Sequence, residues 1–133
     1  MKKNKPKKKI RTLKSLKDEA WRLISIFVRT NGGKIEYNFC FTCGVRKHYK
    51  ELQCGHYIHN RLDYELNNLK PQCPSCNKWK SGNLGVYGER LIKEIGLKKV
   101  DKMRLWSYKK GNNYNRQELE KIIKKYRLST KGY

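Results

Sequence analysis

The stretch LKPQCPSCN, Leu69–Asn77, sets two cysteines two residues apart, Cys73 and Cys76. The same spacing occurs earlier in CFTC, as Cys40 and Cys43, with 29 residues between the two pairs. A C-x-x-C turn can wrap one metal with two thiolates at about 2.3 Å, and two such turns complete a tetrahedral set of four. A closed all-sulfur sphere implies a structural zinc and not a catalytic one. The segment between the pairs should then fold together with zinc binding. A redox role would need only one pair. Five cysteines in a lysine-rich chain also argue against a disulfide framework.

Between the pairs lies LQCGHYIHN, Leu52–Asn60, with Cys54, His56 and His59. Four thiolates satisfy zinc, so none of these three is needed for it. Residues 51–58 read as a strand, on which Cys54 and His56 point to one face. Cys54 is expected to be a small buried hydrophobe. Residues 59–67 read as loop.

Outward from this centre the pattern turns helical. Leu16, Ala20, Leu23, Ile24, Phe27 and Val28 recur at helix spacing, predicting a helix over 16–30 with Ser15 as N-cap and Asp18 as its box partner. Asn31-Gly32-Gly33 ends it. Residues 36–41, EYNFCF with Cys40 among them, predict a strand entering the first knuckle. Residues 77–80 suggest a short helix ended near Gly82. Further helices are expected around Tyr87, Leu91, Ile92 and Ile95, and over 100–109 with Met103, Leu105 and Trp106. A last one is capped by Asn115 with Glu118 and buries Leu119, Ile122, Ile123 and Tyr126. The class is α+β: a basic disordered tail (1–14), an N-terminal helix (15–33), a metal-braced core (34–96) and a C-terminal helical extension (97–133).

The chain has 133 residues, with 33 Lys and Arg against 11 Asp and Glu, a formal net charge of +22. Such a surplus calls for a polyanion, and DNA or RNA meets it through phosphate contacts. Lys7, Lys8, Lys9 and Arg11 of the tail, and Lys78, Trp79 and Lys80 after the second knuckle, are the expected nucleic-acid contacts. No stretch reaches membrane-spanning length, and no apolar segment follows the basic start as in a secretory leader, so a soluble intracellular protein is expected.

The order of Cys pair, strand with His56, Asn68, Cys pair and Asn77 resembles that of the HNH nucleases. Their ββα-metal (His-Me finger) fold carries a His, an Asn and a third His or Asn, often braced by a zinc on two C-x-x-C pairs. The blocks KSLKDEAW, CFTCG, LQCGHYIHNR, NLKPQCPSCN and SGN resemble the phage NinG/Rap recombination family over about residues 13–96. The resemblance implies a zinc-braced ββα-metal core and a Mg²⁺- or Mn²⁺-dependent endonuclease. Its substrates would be branched DNA such as Holliday junctions and D-loops, in the cytoplasm of a phage- or prophage-bearing bacterium. Carried over by position, His56 is the general base, Asn68 orients its ring, and Asn77 is the metal ligand. Many HNH proteins have a second metal ligand just before the base. Here that position is Gly55, with Asp63 and His59 as possible helpers.

The chemistry is coherent. A neutral imidazole is suited to deprotonating water near pH 7. A hard divalent ion prefers oxygen ligands and would stabilise the transition state. Arg61 could grip the scissile phosphate as a bidentate donor. Paired cuts in a junction favour a homodimer, with the helix over 115–128 as the candidate seam. The rival expectations are a less selective nicking, packaging or homing HNH enzyme, and a non-catalytic zinc-ribbon nucleic-acid-binding module.

Overall fold

A computed structural model of the chain describes residues 2–133. The elements run α1 (Leu13–Arg29), β1 (Tyr37–Phe39), β2 (Arg46–His48), β3 (Gln53–His56), β4 (Leu69–Gln72), α2 (Leu84–Ile95), α3 (Leu97–Lys110) and α4 (Arg116–Arg127). The architecture is mixed α+β, with two small antiparallel sheets and flanking helices. Among the described residues no helix is long and apolar enough to cross a membrane.

Helix α1 begins three residues before the expected start. Thr12, not Ser15, is the N-cap, and its hydroxyl accepts from Ser15 N at 3.1 Å. Ser15 Oγ is instead taken by Arg11 Nη2 at 2.9 Å, and Arg11 also pairs with Glu19. Arg11, expected among the free cations of the tail, is thus folded onto α1. Residues 2–12 carry no regular structure, and Met1 lies outside the described residues. After α1, Gly33 (φ +77°) is required for space as well as conformation: a Cβ there would lie 1.9 Å from Ser129 O.

That contact announces the main packing event, in which α4 lies against α1. Leu16, Ala20, Leu23 and Ile24 meet Leu119, Ile123 and Tyr126 in one core, closed by Cys54 and Leu69 from the second sheet. Glu19 also bonds Arg127 at 2.6 Å. The apolar face of α4, expected as a candidate dimer seam, is therefore packed against α1 within the chain. The Asn115–Glu118 capping box forms as expected.

The first sheet pairs β1 with β2, Tyr37 opposite His48 and Phe39 opposite Arg46. Strand β2 was not legible, because RKH lacks the alternation that marks a strand. The second sheet pairs β3 with β4, Gln53 opposite Gln72 and His56 opposite Leu69. Pro71 has no N–H to give, but its carbonyl accepts from Phe41 N at 2.8 Å and ties the two hairpins together.

The short helical turn after the second knuckle runs Ser75–Trp79, starting before Asn77. Helix α3 buries Val100, Met103 and Ser107. Leu105 and Trp106, expected on its apolar face, are 71% and 48% exposed, because helical rotation carries them off the stripe set by 100, 103 and 107.

Candidate functional site

The four expected thiols converge. The Sγ atoms of Cys40, Cys43, Cys73 and Cys76 all lie within 4.8 Å of one another, and those of Cys43 and Cys73 are 3.7 Å apart. Tetrahedral bonds of about 2.3 Å put two sulfurs about 3.8 Å apart, so the set fits a zinc ion. Polar donors already face it. Cys76 N lies 3.5 Å from Cys73 Sγ, Asn83 Nδ2 lies 3.8 Å from Cys76 Sγ, and the Thr42 hydroxyl lies 3.4 Å from Cys40 Sγ. Burial alone would raise the Cys40 thiol, but the Thr42 hydroxyl and nearby backbone groups outweigh it and bring it to about 6. Cys54 lies outside the cluster, in the core beneath α1, where burial pushes its thiol up to about 12.

Strand alternation then separates the remaining groups. Cys54 and His56 face α1, where the imidazole stacks on Trp21 at 5.0 Å and 10°. His56 Nε2 is buried 3.2 Å from Asp63 Oδ1, within ion-pair distance but off the line of a hydrogen bond. The imidazole holds the Asp63 carboxyl below its ordinary range, against burial, which raises it. Asn112 Oδ1 fixes Asp63 from the far side by accepting its backbone N–H at 3.1 Å.

Gln53 and Gly55 face the other way, toward the knuckle. Asn77 Nδ2 donates to Gln53 Oε1 at 2.7 Å. Asn77 thus sits on the face opposite His56, and Gln53 is about 10 Å back along the strand. Position 55 is a glycine because Gln72 fills its space: a Cβ there would lie 1.9 Å from Gln72 Oε1, itself a fully buried acceptor without a donor. Gln72 Nε2 bridges Thr42 Oγ1 and Gly82 O, joining both knuckles.

Asn68 is fully buried, and its carboxamide is turned to backbone, not to the imidazole ring. Oδ1 accepts from Ile58 N at 2.7 Å, while Nδ2 donates to the carbonyls of Ile58, Arg61 and Leu62 at 3.0–3.3 Å. It shapes the loop that follows His56. Replacing it by alanine strands several buried groups, so Asn68→Ala is expected to lose about 2–4 kcal/mol of stability, measured by denaturant unfolding. A loss below 0.5 kcal/mol would reject this role.

Arg61 lies over the Tyr108 ring at 4.4 Å. His59 is exposed and packs beside Gly82. Lys78 and Lys80 are exposed, and Trp79 between them is 84% exposed. His48 caps the turn after β2, accepting from Lys50 N. Trp21 and Asp63 were the less legible parts of the His56 setting: their partners lie 35 and 7 residues away in sequence, and only packing unites them.

Comparison with known proteins adds a family. A family model described as Bacteriophage Lambda NinG protein matches residues 1–133. The chain belongs to the NinG family. The NinG protein of Salmonella phage P22 is 29% identical over 117 residues, covering 85% of this chain and 55% of that protein. The NinG of Escherichia phage 933W has the same identity over 122 residues, and that of Escherichia phage lambda is 30% identical over 89 residues, covering 64% of this chain and 42% of that protein. The chain spans about half the length of the curated NinG relatives it matches. No solved structure matches. Within this NinG-family chain, the block Gly82–Tyr87 supports the site: Asn83 faces the four-cysteine cluster, and the buried Tyr87 hydroxyl donates to Gly55 O at 3.0 Å. Tyr87 thus reaches the backbone of β3 right before His56.

Proposed function

We propose that this NinG-family chain is a DNA endonuclease of the HNH class that cuts branched recombination intermediates, with His56 as general base. The reading is supported above all by the setting of His56: an imidazole at a strand end, stacked on Trp21, paired with Asp63 and followed by a loop held by Asn68. Asp63 Oδ1 lies 3.2 Å from the buried Nε2, and Nδ1 is assigned to take a proton from the attacking water. Hydrolysis would then leave a 5′-phosphate and a 3′-hydroxyl. The zinc knuckle braces the hairpin and carries no chemistry.

A catalytic Mg²⁺ or Mn²⁺ fits less well. Asn77 offers one amide oxygen, and the cysteines form the only cluster of three or more His, Cys, Asp or Glu side chains placed to share a metal among the described residues. The ion would have to draw most of its ligands from DNA phosphates and water. The test is cleavage of labelled four-way junction, flap and linear duplex with either ion. Equal cutting of duplex and junction would favour a less selective HNH enzyme, and binding without cutting a zinc-ribbon module.

The charge of +22 supports DNA as partner, with the lysines of residues 2–9 as a sequence-independent clamp. Deleting residues 2–9 is expected to weaken binding on every DNA sequence. It should also flatten the salt dependence, by roughly one unit of log–log slope for each phosphate no longer neutralised. An unchanged slope would reject the clamp.

A further inference from the structure

Helix α3 ends in an unexplained surface. Its buried side is Val100, Met103 and Ser107, yet it also presents Tyr108, a large aromatic residue 75% exposed. Tyr108 stands at the rim of a cleft of about 340 Å³ between α3 and the loop that follows His56. Two arginine–tyrosine pairs line it. The Arg61 guanidinium lies 4.4 Å from the Tyr108 ring centroid, and that of Arg104 lies 5.6 Å from the Tyr57 ring centroid, with Arg104 Nη2 donating to Tyr57 Oη at 2.5 Å. Asp101 takes one further N–H of Arg104. Ile58 and Leu84 give the cleft an apolar lining.

We infer that this cleft binds one unpaired nucleotide of a DNA strand, its base against Tyr108 and the apolar lining and its phosphate on the guanidiniums of Arg61 and Arg104. The inference rests on the reading of the chain as a DNA-acting protein and names the feature of the substrate it recognises. Each part of the cleft matches one part of that ligand. Guanidiniums bind phosphate as planar forks. Exposed aromatic rings stack on bases of any sequence. The volume lies at the small end of ligand pockets, room for one base and not for a paired step. The pairs are held in place: the Tyr57 ring packs on Gly88, where a Cβ would lie 2.8 Å from Tyr57 Oη. Unpaired nucleotides are what flaps and the displaced strand of a D-loop display and linear duplex lacks. The cleft therefore supplies a basis for choosing branched DNA that the setting of His56 does not.

The test is fluorescence anisotropy with the full zinc-loaded chain, without Mg²⁺ or Mn²⁺ so that no cutting intervenes. The probes are one duplex with a three-nucleotide single-stranded flap and the same duplex fully paired. Wild type is expected to bind the flap form more tightly. Tyr108→Ala should lose roughly fivefold or more on the flap form and nothing on the paired form, and Tyr108→Phe should restore the preference. Arg104→Gln should weaken the flap form more than the paired one. If Tyr108→Ala keeps the wild-type preference, or loses equally on both probes, the cleft assignment is wrong while the endonuclease reading stands. If wild type binds neither probe, both fall. Because Tyr108 is exposed, its replacement should leave the melting temperature near that of wild type, and circular dichroism checks that the variant is folded.

Discussion

His56→Ala is expected to cut four-way junctions roughly 10²- to 10⁴-fold more slowly than wild type at pH 7, the usual worth of a positioned general base. Binding of the same junction should be nearly unchanged, since the imidazole is mostly covered by Trp21 and Asp63 and presents little surface to DNA. The separation of rate from affinity is what identifies a base as opposed to a contact. Asp63→Asn is the companion variant. It keeps the shape beside Nε2 but removes the charge that favours the imidazolium formed when water is deprotonated. It should therefore slow the cutting step while leaving binding intact, by less than the His56 change. Wild-type cutting by the His56→Ala protein would remove His56 from the mechanism.

Zinc removal should have the largest structural effect. Cys40, Cys73 and Cys76 form a small core of their own with Leu52. The adjoining hairpins have strands of only three and four residues. Apolar burial on that scale cannot hold two such hairpins alone. Structural zinc contributes on the order of 10 kcal/mol or more in comparable small sites. A strong chelator, or Cys76→Ser, is therefore expected to unfold the region around both hairpins, read as a weaker strand signal and a less cooperative thermal melt. The α1–α4 pair should suffer less, because Leu16, Ala20, Leu23, Leu119 and Ile123 meet without any zinc ligand. Cys54→Ser should still carry one zinc per chain by elemental analysis. If it does not, Cys54 has a metal role that its place beneath α1 denies.

Much of this architecture was legible before any fold was seen. The two C-x-x-C turns were readable because metal geometry demands a fixed local spacing. The α1 and α4 stripes were readable because a helix buries one face at a fixed period. The capping box at Asn115 was readable because both its partners lie within four residues. Strand β2 was not, because RKH owes its conformation to β1 and the knuckle and not to any alternation of its own. The exposure of Leu105 and Trp106 was missed because composition does not say which stripe of α3 faces inward.

The candidate site divides the same way. Local spacing named the four cysteines, the family resemblance pointed to His56 and Asn68, and a net charge of +22 led to the expectation of a polyanion as partner. Those signals are local or additive, so they survive without coordinates. Folding was needed to place His56 on Trp21 and Asp63, Asn68 on the backbone of the loop, and Asn77 across the sheet on Gln53. It was needed too for the use of α4 against α1 and for the cleft between Arg61 and Tyr108. These are contacts between residues far apart in the chain or on opposite faces of one strand, and they exist only once β3 has chosen its register and the helices their partners.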